Sequence, residues 1–234
     1  MQYRDPYIEL CLEGADSIFR NLSHADKEMI NKHHDLRQFG KGEIIVKEES
    51  QNNGFLCLAT GKAKVFSIGA GRREQIIRLL KPQDLIFIGS LIPEFRYPFT
   101  VTALEDCLVI NLKKQPLTRI LRQNAWLSLS FIKILSDEAY YSDRRLISLT
   151  QKHVRGRIAE SLLLLRDTFG FETDGKTLMA FLTRDDLAHL SNMTTSNAIK
   201  TLSGFAAEGI LRIERRRIMI LDNSRLEEIN DSGQ

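Results

Sequence analysis

The side chains best suited to chemistry lie between Leu182 and Ile220. Ser196, Asn197, Lys200 and Ser203 fall on one side of a helical pattern whose other side carries Ala198, Leu202 and Phe205. Small hydrogen-bonding side chains on an open helical face are the groups that read base edges in the major groove of duplex DNA. Further along, Arg215, Arg216 and Arg217 sit in one short polar run, where fixed positive charge suits phosphate oxygens rather than bases. The two sets together imply recognition of a nucleic acid rather than catalysis, and no catalytic set is predicted.

Such residues need elements to hold them. Thr183, with Asp186 three positions on, predicts a capping box that opens a short helix whose inner face is Leu187, Ala188 and Leu190. Asn192 tolerates the left-handed conformation of a sharp turn, and Met193 points back into a core. Thr194 or Thr195 caps the second helix, and Gly209 stops it. Ile210 to Ile213 and Ile218 to Leu221 read as two strands around the turn Glu214-Arg215-Arg216-Arg217. The pattern is a winged helix-turn-helix, although Ser191 and Thr201 are polar where an apolar residue would pack better.

Bulk properties narrow the alternatives. The chain has 234 residues, 43% of them hydrophobic, which is enough for two domains with a sizeable core. Its net charge is only +3, and from Gln151 onward basic and acidic residues balance, so affinity for DNA has to come from local clustering. No apolar run reaches the length of a membrane span, and MQYRDPYIEL lacks the apolar region of a signal peptide, so a cytoplasmic location is expected. Cys11, Cys57 and Cys107 are scattered and odd in number, which predicts reduced structural thiols rather than disulfides, a zinc site or an iron–sulfur cluster. His24, His33, His34, His153 and His189 contain no pair with ligand spacing, so neither a metal nor a cofactor is expected.

Upstream, residues 14 to 36 read as helical, with Ile18, Phe19, Leu22, Met29 and Ile30 on an apolar face and Ser23 as an internal cap. From Phe39 the runs FGKGEIIVKEES, NNGFLCLATGKAKVFSI, REQIIRLLKPQDLIFI and YPFTVTALEDCLVINL are short strands punctuated by glycine turns. Evenly spaced short strands predict an antiparallel, jelly-roll-like β-roll. After Pro116 the helical period returns, and Asn124 can cap a long helix. On it Ile132, Leu135, Ala139, Ser142, Leu146 and Leu149 form a heptad seam. Small Ala139 and Ser142 at its middle would let two copies approach closely, which predicts a homodimer along this helix. Lys152-His153 breaks the register, and a further helix follows with Ile158, Leu162, Leu165 and Phe169 on its inner face. The expected α+β architecture is a β-roll domain over 1–116, a dimerisation helix over 117–151 and a winged helix-turn-helix domain over 152–234.

This order of elements resembles the CRP/FNR family of bacterial transcription regulators. The likeness is most specific at Gly156-Arg157-Ile158-Ala159 with Leu162-Leu163, and at Leu182-Thr183-Arg184 through the second helix. It implies a roll like a cyclic nucleotide-binding domain that senses an effector, a long dimer helix, and winged domains entering successive major grooves of a near-palindromic duplex. RNA polymerase is a candidate partner. The DNA-contacting set carried over is Thr183, Arg184, Thr194, Thr195, Ser196, Asn197, Lys200, Arg215, Arg216 and Arg217. Where the family often shows Arg-Glu-x-x-x-Arg, this chain has Thr195-Ser196-x-x-x-Lys200, which implies a different base preference.

The effector pocket departs further from the pattern. Family members that bind cyclic nucleotides carry Gly-Glu and, about ten residues on, Arg-Ser; here those places fall on Phe87-Ile88 and Tyr97-Pro98. Arg96 is one residue out of register, which on a strand points it to the other face. Phe87, Ile88, Arg96 and Tyr97 are the candidate effector pocket, without the anchors for a cyclic phosphate, so cyclic AMP is not the expected effector, and the effector stays unidentified. Two other classes are compatible with parts of the chain: a cupin-like metal-dependent enzyme using the roll, or a protein-interaction adaptor using the winged helix.

Overall fold

The computed structural model describes residues 5–51, 54–86, 96–180 and 182–233. The chain forms two compact units, one of residues 1–67 with 78–139 and one of residues 68–77 with 140–234.

The first unit opens with helices α1 (Pro6–Glu13) and α2 (His24–Lys32). Asp5 caps α1 by accepting from the backbone N–H groups of Tyr7 and Ile8. The expected helical stretch over 14–36 is thus corrected in part. Residues 14–22 form turns, because the Ser17 hydroxyl donates to the carbonyl of Cys11 and accepts from Phe19 N–H, a local arrangement that competes with helix. Ser23 is a cap, as expected, and opens α2 as a separate helix, while the chain is already in a strand at His34. Strands β1 (His34–Phe39), β2 (Ile44–Val46), β3 (Gly54–Thr60), β4 (Ala63–Ile68), β5 (Glu74–Leu80), β6 (Thr100–Ala103) and β7 (Cys107–Lys113) follow. They form a three-stranded sheet in the order β1-β7-β3 and a four-stranded sheet in the order β2-β6-β4-β5. The pairings of β1 and β3 with β7, and of β2 and β4 with β6, are antiparallel.

The run GFLCLAT of β3 is apolar up to its last residue, Thr60, because both of its faces are covered. Phe55, Cys57 and Ala59 point to a core shared with Leu12, Phe19, Ile110, Leu117 and Phe131. Leu56 and Leu58, at the alternate positions, point to the core between the sheets with Val46, Val65, Val101 and Val109. Helix α3 (Lys114–Gln123) closes the first of these cores, and Asn124 caps the helix α4 (Ala125–Gln151) by accepting from Leu127 N–H at 2.9 Å. Cys11, Cys57 and Cys107 are all free and buried, and the Cys11 thiol beside Cys57, together with burial, pushes the Cys57 thiol well up.

In the second unit the last turns of α4 lead to α5 (Val154–Phe169), α6 (Arg184–Leu190), α7 (Thr195–Ala207), the strand pair β8 (Leu211–Glu214) and β9 (Arg217–Ile220), and α8 (Asn223–Ser232). Helix α5 is central, packing against α6, α7 and α8. Its Ile158, Leu162, Leu165 and Phe169 are buried as the periodicity predicts. No helix among the described residues is long and apolar enough to cross a membrane.

Gly156, the first residue of the Gly-Arg-Ile-Ala run, has a steric reason. A Cβ there would lie 2.9 Å from the backbone of Gly233, and the Gly233 carbonyl in turn accepts from His153 N–H at 2.8 Å. At Gly204 in α7 an added Cβ would meet only the tip of Arg155, at 3.8 Å. The two Gly→Ala substitutions should therefore have opposite signs. Gly204→Ala should gain up to about 1 kcal/mol from helix propensity, whereas Gly156→Ala should lose stability, the backbone clash costing about 1–3 kcal/mol. Urea unfolding of both variants checks this, and a stabilised Gly156→Ala would refute the close approach.

Candidate nucleic-acid interface

Helix α6 is closed at its start as the sequence predicts. The Thr183 hydroxyl accepts from Asp186 N–H at 3.0 Å while the Asp186 carboxylate accepts from Thr183 N–H at 3.1 Å, a reciprocal capping box. Leu187, Ala188 and Leu190 are buried. The turn to α7 runs through Asn192 at φ 49°, the left-handed residue expected there, with Met193 buried beneath it. Of the two threonines open as caps, Thr194 is the one used, its hydroxyl accepting from Asn197 N–H at 3.3 Å. The Ser191 anomaly is resolved by a partner from α5: Ser191, fully buried, donates to the Ser161 hydroxyl at 2.8 Å, and Ser161 donates to the carbonyl of Arg157 at 2.9 Å.

Helix α7 has two unlike faces. Ala198, Leu202 and Phe205 are buried, and Ser196, Asn197, Lys200 and Ser203 are exposed. Its C-terminal end is pinned by Arg155 of α5, which makes a two-pronged ion pair with Glu208 at 2.7 and 2.8 Å and lies over the Phe205 ring at 4.7 Å. Sequence reasoning missed this anchor, whose two ends are 53 residues apart. Thr195 differs from its exposed neighbours: it is half-buried, and its hydroxyl donates to Asp185 at 2.6 Å.

The wing is tighter than the sequence predicts. Glu214 and Arg217 pair across β8 and β9, so the expected four-residue turn is a two-residue one, Arg215-Arg216, with Arg215 at φ 56°. Residues 176–178 add a third edge on β9, through Leu178 N–H to Ile218 and Ile220 N–H to Lys176. Asp174 shapes that approach: it accepts from the Thr177 hydroxyl and from the N–H groups of Thr177 and Lys176, which holds its carboxyl down at about 2. The three wing arginines are not equivalent. Arg217 is paired with Glu172, while Arg215 and Arg216 stand exposed at the tip, and Arg184 of α6 donates to the Arg215 carbonyl at 3.1 Å. Arg212 on β8 is a further exposed cation that the sequence reading did not include.

On α4 the seam residues Ile132, Leu135, Ala139, Ser142 and Leu146 are exposed and Leu149 is half-buried. Ile132 and Leu146 keep 60% and 63% of their surface. Leu129, Tyr140 and Ile147, which repeat at helical spacing on a neighbouring face, are exposed as well and were not read from the sequence. Of the candidate effector pocket, Phe87 and Ile88 lie outside the described residues. Tyr97 is buried, its backbone paired with Glu49 and Ser50, and Arg96 donates to the Glu49 carbonyl at 2.9 Å. Among the described residues no group of three or more His, Cys, Asp or Glu side chains could hold a metal ion.

Comparison with known proteins places both halves of this arrangement. Residues 36–124 match the model of the cyclic nucleotide-binding domain, and residues 156–229 match that of the Crp-like helix-turn-helix domain. A curated relative, the CRP-like cAMP-activated global transcriptional regulator of Mycobacterium tuberculosis, is 21% identical over 89% of this chain and 94% of its own length. Among solved structures, FixK2 from Bradyrhizobium japonicum superposes with a TM-score of 0.75 at 18% identity, covering 84% of this chain and 97% of that one. A CRP/FNR-family transcriptional regulator from Thermus thermophilus does so with a TM-score of 0.71 at 22% identity, covering 86% and 100%. None of these matches is to a cupin-like enzyme or to an adaptor. Two domain models that together span well over half of the sequence, in the order roll then helix-turn-helix, make this chain a member of the CRP/FNR family of transcription regulators.

Proposed function

We propose that the chain acts as a homodimer in the cytoplasm and regulates transcription by binding a near-palindromic DNA site, with no cyclic nucleotide as its effector. The observation that carries the reading is the pairing of a polar open face on α7, held from behind by Phe205 and Arg155, with two exposed arginines at the wing tip. Ser196, Asn197 and Lys200 offer donors and acceptors to base edges, and Arg215 and Arg216 offer charge to phosphates. Thr183 and Thr194 serve first as helix caps, and Thr195 and Arg217 already have acidic partners, so their share in DNA contact is positional. RNA polymerase remains the candidate partner for the DNA-bound dimer.

Alanine at Ser196, Asn197 or Lys200 should cost about 1–3 kcal/mol of discrimination between a selected and a scrambled duplex. Alanine at Arg215 or Arg216 should weaken binding to both duplexes alike and lower the salt slope by about one per lost contact. Anisotropy titrations at several salt concentrations separate the two classes, and the assignment fails if wing variants alter sequence preference while helix variants leave it intact.

The exposed stripe on α4 supports self-association. Several large apolar side chains on one helix, with small Ala139 and Ser142 between them, form a surface that a second copy of the same helix can cover. Twofold pairing would present two α7 helices to major grooves about 34 Å apart along the duplex. Charged residues at both Leu135 and Leu146 should yield a monomer by sedimentation; an unchanged dimer would remove α4 as the interface.

The reading against a cyclic nucleotide rests on Phe87, Ile88 and Pro98, whose side chains offer no ligand for a cyclic phosphate or a ribose hydroxyl, on Tyr97, which is buried and brings no charge, and on Arg96, whose guanidinium donates to the Glu49 carbonyl. The family-model match over residues 36–124 concerns the roll as a whole. Calorimetric titration with cyclic AMP and cyclic GMP should be flat, and micromolar binding of either would overturn this part of the proposal.

A further inference from the structure

Helix α6 ends with carbonyls that its own ladder cannot satisfy, and two arginines serve this region, one at the last carbonyl of the helix and one in the turn that follows. Arg145, on α4, donates to the carbonyl of Leu190, the last residue of α6. Arg157, on α5, donates to the carbonyl of Asn192 in the turn at 2.7 Å. Burial and the neighbouring Arg145 charge both push the Arg157 guanidinium down, as expected for two cations held at one helix end. Glu160 supplies the compensating charge. Its carboxylate lies 3.5 Å from Arg145 Nη1 and 3.6 Å from Lys152 Nζ and accepts from the Ser148 hydroxyl.

Arg145 is costly where it stands. It keeps only 6% of its surface, and its Nε and Nη1 are buried without a hydrogen-bond partner. A buried cation so sparsely satisfied is a poor source of stability, and methionine could fill much of the same space without the cost of dehydrating a charge. What the guanidinium does that methionine cannot is span two groups with a planar fork: the end of α6 on one side and Glu160 of α5 on the other. Leu146, the next residue along α4, points outward with the self-association stripe.

We propose that Arg145 is a positioning residue for DNA reading, tying the C-terminal end of α6, which leads into the turn before α7, to the last turns of α4, beside Leu146 and Leu149. Pairing of two α4 helices then sets the orientation in which each α7 meets its half-site, while Arg145 itself touches no DNA. This rests on the reading of the chain as a dimeric DNA-binding regulator.

The test uses full-length Arg145→Met and Arg145→Lys in anisotropy titrations with selected and scrambled duplexes over a range of salt, with sedimentation and thermal unfolding alongside. Arg145→Met should lose about tenfold in affinity for the selected site. Its affinity for the scrambled duplex, the salt slope and the dimer should be unchanged. Arg145→Lys, which keeps the charge but cannot span both partners, should recover only part of the loss. Ser191→Ala removes a different bond of the same turn and should lower the melting temperature without changing discrimination. The inference is overturned if Arg145→Met reads the selected site as well as the wild type, or if it weakens both duplexes alike with a shallower salt slope. It is also overturned if Ser191→Ala loses the same discrimination, which would make the effect one of stability. If Arg145→Met does not fold, Arg145→Lys decides, and full discrimination by that variant overturns the inference. A wild-type chain that selects no duplex overturns the proposed function and this inference with it, whereas wild-type selectivity alongside an unaltered Met variant overturns this inference alone.

Discussion

Phe205 loses all of its exposure in the second unit, and its burial is the interaction on which the candidate interface depends. Fully burying a phenylalanine side chain is worth about 1.5–3 kcal/mol. With Ala198 and Leu202 it fixes which side of α7 faces inward, and so leaves to solvent an opposite side that is polar except for Ile199. Arg155 adds direction to that burial, since the guanidinium lies on the ring and holds Glu208 at the same time. The exposed face of α7 is in this sense a by-product of packing: it is whatever the core of the unit cannot use.

The roll obeys a different constraint. Its strands are short, and two cores have to be filled from them, so β3 and β7 contribute to both by alternation. That sharing explains why Cys11 and Cys57, far apart in sequence, meet in the first core, where burial and their mutual contact disfavour the thiolate form of Cys57. Such thiols act as small apolar packing groups.

Much of the second unit was legible because its elements are bounded by local rules. A capping box, a left-handed asparagine, a threonine cap and a terminating glycine act within three or four residues, and each was found where the residue types called for it. The first helix escaped notice although Asp5 and Pro6 form an ordinary start signal, because the apolar pattern just after it drew the helical reading to residues 14–36. That pattern was real, since Phe19, Leu22 and Ile30 are buried, but it serves turns and a second helix rather than one long one. The Ser161–Ser191 bond and the Arg145, Arg157 and Glu160 group could not be read at all. Each joins residues 12 to 45 positions apart, and single-sequence periodicity carries no information on such partners. In the candidate interface, the exposed positions of α7 were legible from helical spacing, while the division of the wing arginines into free and paired was not, because Glu172 reaches Arg217 from another segment.

A strand that serves two cores has kinetic consequences for the roll. Besides its ladder with β7, β3 is bonded along its other edge to residues 83–86, through Leu58 N–H to Asp84, Gln83 N–H to Leu58 and Ile86 N–H to Leu56. Its middle, Leu56 to Leu58, is thus covered above and below and bonded along both edges, so it is shielded from fraying of an edge and from loosening of one core alone. Exchange of its amide hydrogens then requires both cores to open together, which makes β3 the natural centre of the most slowly exchanging cooperative block in the roll. The exposed edge strand β1 would open well before it.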